Sequence, residues 1–126
     1  MHRIRYTSRV AKLQMLNAVF YKSQSGAEPV RDWLKRLPKE ARKAIGEDIA
    51  YVQFKWPIGK PRVDHLHGAV WEVRTSLTNR IARTLFAVES GVMVLLHGFI
   101  KKTQAAPQAE IDLAEKRFKE WKHGEK

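Results

Sequence analysis

Val30, Trp33, Leu34 and Leu37 fall at i, i+3, i+4 and i+7, with Arg31, Asp32, Lys35 and Arg36 between them. That spacing gathers the apolar set into one stripe and predicts an amphipathic helix. Pro38 punctuates it, and a second stripe follows in Ile45, Ile49, Val52 and Trp56, with Lys39, Glu40, Lys43, Glu47 and Asp48 elsewhere. Pro57 and Gly59 close this segment. Two helices joined at Leu37-Pro38 predict a helical hairpin. Ahead of it, Asn17-Ala18-Val19-Phe20-Tyr21 has strand character and is bounded by the polar turn Lys22 to Gly26.

The period changes after Gly59. Val70-Trp71-Glu72-Val73-Arg74 alternates as a half-exposed strand does, and residues from Thr75 to Asn79 supply a turn. Arg80 to Val88 then reads as a strand, Glu89-Ser90-Gly91 as a turn, and Val92 to Ile100 as another strand. Short turns between strands predict an antiparallel meander. Pro107 opens a last helix, with Ile111, Ala114, Phe118 and Trp121 at helical spacing and an end near Gly124. The expected class is α+β. A small antiparallel sheet of about four strands packs against an N-terminal helical hairpin, with a C-terminal helix.

Composition adds limits. No cysteine is present, so disulfides and thiolate metal sites are excluded and a reducing cytoplasm suits the chain. The basic start, Met1 to Tyr6, is not followed by a signal-type apolar core, and the run Val92 to Leu96 is too short to span a bilayer. A cytoplasmic protein with no membrane association is the expectation. The 126 residues suit one domain, and four Trp, five Phe and three Tyr supply apolar bulk for a core.

The net charge is +11, which points to a polyanionic partner. Residues 1–16 carry four basic groups and no acidic one, 57–104 carry seven against three, and 105–126 carry five against five. The excess therefore lies in the body and the N-terminal arm. Residues 1–16 have weak periodicity and are read as a basic extension.

Strand alternation shows which charged residues share a face. Glu72 and Arg74 point the same way, Arg83 is the sole interior charge of its strand, and His97, Phe99 and Lys101 share a side. If the three faces coincide, these six form one patch on an exposed basic face. A lone Arg within an apolar strand is costly unless it meets water or an anion. Its planar fork suits phosphate, and Phe99 offers a surface on which a base can stack. Metal-independent RNA cleavage by the adjacent 2′-hydroxyl needs a base, cations for the phosphorane and an acid for the leaving oxygen. Glu72 or His97 is the candidate base; Arg80, Phe99 and Lys102 are candidate RNA contacts.

Each member also has a plainer reading: Glu72 as half of a cross-strand ion pair, His97 and Phe99 as core, Lys101-Lys102 as a solvated strand end. His65 and His67 stand at strand spacing, but no carboxylate or thiolate pattern accompanies them, so neither a metal nor another cofactor is expected.

Val70-Trp71-Glu72-Val73-Arg74, Asn79-Arg80-Ile81-Ala82-Arg83-Thr84-Leu85-Phe86 and Leu95-Leu96-His97-Gly98-Phe99-Ile100-Lys101-Lys102-Thr103-Gln104 closely resemble the phage-derived HigB branch of the RelE/ParE toxin superfamily. The resemblance extends upstream through Phe20-Tyr21, Ser25-Gly26, Glu28-Pro29-Val30, Trp33-Leu34 and Ile45 to Ile49, and downstream to Pro107. It implies a RelE-like toxin domain over residues 17–122, preceded by the extension 1–16 and followed by a tail, 123–126.

The implied function is the toxin of a type II toxin–antitoxin system, a ribosome-dependent, metal-independent mRNA endoribonuclease that inhibits translation. The implied partners are a helix-turn-helix antitoxin of HigA type, the ribosome with its mRNA and, through the antitoxin complex, operator DNA. Arg83 corresponds to the strand Arg of RelE-type enzymes. Glu72 and Arg74 stand where those enzymes carry basic residues, so one cation is replaced by a carboxylate. The C-terminal tyrosine of RelE has no clear counterpart, and His97 substitutes as the acid. The competing functions are ParE-like inhibition of DNA gyrase and non-catalytic nucleic-acid binding beside an antitoxin.

Overall fold

The computed structural model describes residues 15–101 and 106–124. In chain order they form β1 (Asn17–Phe20), α1 (Pro29–Arg36), α2 (Lys39–Lys55), β2 (Val63–His67), β3 (Val70–Leu77), β4 (Arg80–Glu89), β5 (Val92–Lys101) and α3 (Gln108–Gly124). The helix boundaries follow from the prolines. Pro29 opens α1, where its fixed φ suits the first turn. Leu37 leaves the helix with ψ 155° because a residue before proline is disfavoured in helical geometry. Trp56, at ψ 137°, ends α2 ahead of Pro57 in the same way.

The strands form one sheet in the order β1-β5-β4-β3-β2. β2 to β5 pair antiparallel, while β1 pairs parallel with β5 and makes the sheet mixed. The expected class holds, but the expected count of about four antiparallel strands is corrected to five with one parallel edge. The added strand is β2. Its sequence, Val-Asp-His-Leu-His, carries little β-branched or aromatic character, and its partner β3 holds it in place. β3 also runs on to Leu77, so the turn expected over 75–79 shrinks to Thr78-Asn79, with Asn79 at φ 62°. At the next hairpin Ser90 and Gly91, at φ 49° and 78°, supply the two positive-φ positions that match strand twist.

Helices cover both faces of the sheet. On one side Val30 of α1 and Ile45, Ile49 and Val52 of α2 pack against Val63, Val73, Ala82, Phe86, Met93 and Leu95. On the other, Ile111, Ala114 and Phe118 of α3 pack against Val70, Leu85, Ala87, Val94, Leu96 and Phe99. Trp33 of α1 lies so close to Gly98 that a Cβ built there would stand 2.2 Å from its ring. No helix among the described residues is long and apolar enough to cross a membrane.

Candidate functional site

Register brings the expected residues to one face. Arg74 stands opposite Arg83, and Arg83 opposite Phe99, while Leu85 faces His97 and Ile81 faces Lys101. Directly opposed residues of antiparallel strands point the same way, so Glu72, Arg74, Arg83, His97, Phe99 and Lys101 all lie on the α3 side. Between Leu85 and Phe86 the ladder slips by one residue on β5. This bulge turns both Leu96 and His97 toward α3, which strict alternation would forbid.

Four of the charged groups form a chain. Arg74 donates from Nη2 to Asp64 Oδ2 at 3.2 Å and from Nε to Glu72 Oε2 at 2.8 Å. Arg83 donates from Nη1 to the same Glu72 oxygen at 2.9 Å. The Arg83 and Glu72 side chains are 1% and 0% exposed, whereas Arg74 retains 30%. Glu72 Oε1, also enclosed, accepts no hydrogen bond among the described residues. Removing ionised groups from water is costly, and here the cost is offset by two guanidinium donors on one carboxylate oxygen. Arg74 and Asp64 are the members of the chain with a path to solvent, and Arg74 is the cation among them. Its position also opens onto a cleft of about 560 Å³ shared with Arg62, Asp48 and Ser76.

A second cluster joins β5 to α3. His97 Nε2 donates to Glu110 Oε1, and Lys101 Nζ lies 3.9 Å from the other oxygen of that carboxylate. Arg117 Nη1 stands 3.4 Å from His97 Nδ1. A guanidinium can only donate, so Nδ1 is the acceptor and Nε2 carries the proton. The same Arg117 nitrogen donates to the carbonyl of the bulge residue Leu96 at 2.8 Å. Arg117 also lies over the Tyr21 ring, 5.6 Å from its centroid, and burial pulls its pKa down. Tyr21 donates its hydroxyl to Glu120; burial and then that hydrogen bond raise its pKa.

The placement corrects several expectations. The face expected to be open carries α3 over its apolar residues, and Glu72 and Arg83 on that face are buried. Phe99, expected as a stacking surface, is 8% exposed and belongs to the core beneath α3. Arg80 alternates to the other side of β4 and lines a cleft with Pro38, Ala41 and Ala44 of the hairpin, away from the cluster. Lys102 lies outside the described residues. His65 and His67 do not converge: His65 Nε2 meets the Gly68 carbonyl at 2.7 Å, and His67 Nδ1 meets Glu115 at 2.8 Å.

Sequence reasoning missed Asp64, Glu110, Arg117 and Tyr21. For the helix pair a signal existed. Glu110 and Arg117 are seven residues apart, two turns along the side of α3 that carries Ala114 and Phe118, so charged groups flank an apolar stripe. Asp64 gave none, because it acts through a strand that alternation did not reveal.

Residues 32–119 match the family described as phage-derived protein Gp49-like (DUF891). The matched span runs from within α1, through β2 to β5, into α3, and so contains both clusters. No curated protein matches the chain.

Proposed function

This chain belongs to the phage-derived Gp49-like family, a RelE/HigB-type toxin family, and from that premise we propose that it is a metal-independent endoribonuclease acting on ribosome-bound mRNA. A toxin of this kind has an antitoxin partner that neutralises it, here taken to be a helix-turn-helix protein of HigA type. The observation that carries the reading is the ridge of charged groups on the α3 side of the sheet, where Arg74, Arg83 and Lys101 stand among Asp64, Glu72 and Glu110. Arg74 reaches solvent, Arg83 lies beneath it on the shared Glu72 oxygen, and His97 and Lys101 lie on the same face of β5.

In this reading the phosphate docks on Arg74 and Lys101, and Arg83 adds its field from below. Guanidinium and ammonium donors offset the charge that gathers on the phosphorane as the 2′-oxygen attacks. His97 is the proton-transfer group: once substrate displaces Glu110 or Arg117 from a ring nitrogen, it takes the proton of the attacking 2′-hydroxyl and returns it to the 5′-oxygen as the P–O5′ bond breaks. Glu72, enclosed and shared by two guanidiniums, holds both arginines in place. Steering an anion to such a ridge is a natural use of the +11 net charge.

Primer extension on a reporter mRNA after brief induction tests the proposal, with translated and untranslated versions side by side. Cuts confined to translated frames, lost in Arg74→Ala, are the expected result. Intact mRNA accompanied by loss of plasmid supercoiling would overturn it in favour of gyrase inhibition.

A further inference from the structure

The charged ridge accounts for one side of the protein but not for two large aromatics on the outer surface of α2. Phe54 is 60% exposed and Tyr51 39%, three residues apart and thus on one helix face. Each has a cation over its ring. Arg62 stands 4.0 Å from the Tyr51 centroid, and Lys55 Nζ lies 5.8 Å from that of Phe54. We infer that this face is a stacking platform for single-stranded RNA flanking the cleaved phosphate, a proposal that rests on the RNA-cleavage reading above.

Three features favour that occupant. Exposed aromatics interleaved with cations are what unpaired bases and their backbone require: each ring accepts a base of any sequence while the cations follow the phosphates. The platform is also continuous with the ridge, because Arg62 and Arg74 line the same cleft and the Arg74 amide donates to the Arg62 carbonyl at 2.9 Å. A strand of RNA leaving Arg74 therefore meets Arg62 next and Tyr51 beyond it. Finally, Glu47 and Asp48 line that cleft as well, and Asp48 lies 4.0 Å from Arg62. Carboxylates repel phosphates but accept hydrogen bonds from exocyclic amino groups of bases, so the base edges face this wall.

The test uses the full chain and a short, fully 2′-O-methylated single-stranded RNA carrying 2-aminopurine, whose fluorescence falls when it stacks. Wild type is expected to bind and quench; Tyr51→Ala and Phe54→Ala should each weaken binding on the order of tenfold. Tyr51→Phe should retain both binding and quenching, and Arg62→Ala should weaken both. These residues are on the surface, so thermal unfolding of each variant should match wild type. Unchanged affinity in the alanine variants overturns the platform, as does wild-type protein that binds no RNA. Weakened antitoxin association in place of weakened RNA binding would also overturn it, by giving the face to a protein. Cleavage of translated mRNA in a cell-free extract, read in parallel, separates the two claims. Cleavage without stacking sinks the platform alone, and no cleavage by wild type sinks the functional reading.

Discussion

Arg83 and Glu72 form an ion pair at 2.9 Å in which neither side chain is more than 1% exposed. The carboxylate oxygen they share also receives Arg74, so Glu72 separates two like charges inside the protein.

The first prediction follows from that arrangement. Removing one partner of a buried pair is far more destabilising than removing an exposed one, because the remaining charge stays enclosed. Glu72→Ala is expected to cost about 3–5 kcal/mol in denaturant unfolding. Asp64→Ala, whose partner Arg74 reaches water, should cost about 1 kcal/mol or less. Equal losses in the two variants would show that the Glu72 pair is not the anchor described.

A second prediction concerns Gly98. Its missing Cβ is the space into which the Trp33 ring fits, the nearest ring atom being 2.2 Å from where that Cβ would stand. Gly98→Ala should therefore force α1 off the sheet and destabilise the fold by about 1–3 kcal/mol, the range for overpacking. In a Trp33→Ala background the same change should cost little, so a double-mutant cycle of unfolding free energies would show strong coupling. Additive effects would contradict the contact.

Alternation and helical spacing made β3, β4, β5 and all three helices legible, because each buries an apolar stripe whose period survives in the sequence. The alignment of Glu72, Arg74, Arg83, His97, Phe99 and Lys101 was legible for the same reason: antiparallel neighbours joined by two-residue turns have little freedom of register. Burial was not. Nothing in the pattern of β4 says that α3 returns across that face to pack on Leu85 and Phe99, or that Arg83 lies buried there. The bulge that re-aims His97 was equally hidden, since one extra residue leaves the hydrophobic run Val92 to Leu96 unaltered.

The third prediction is a pH dependence at the middle of α3. His67 has its pKa raised, first by the hydrogen bond to Glu115 and then by that carboxylate's charge. A histidine whose folded pKa lies above its unfolded value of about 6.5 contributes stability fully below that pH. The contribution is lost as pH rises through the folded pKa. NMR titration should therefore show His67 above 6.5 in wild type and lowered in Glu115→Gln. The stability difference between the two proteins should shrink as pH rises past that point, and a difference that grows instead would reverse the assignment.

The last prediction turns on Glu110. Its carboxylate accepts from His97 and faces Lys101 at 3.9 Å, so it occupies the histidine and one of the cations assigned to RNA. An RNA phosphate docking there competes with an anion already in place. Glu110→Gln keeps the side chain's size and a hydrogen-bond acceptor for His97 while removing the competing charge. RNA affinity at low salt should therefore rise in this variant. The dependence of log affinity on log salt should steepen by roughly one additional ion contact, because Lys101 then requires a counterion that binding releases. Lys101→Ala in the same background should return the slope to the wild-type value. Were Glu110→Gln instead to weaken binding with the salt slope unchanged, Glu110 would be a positioning group for His97 and Lys101 would not contact phosphate.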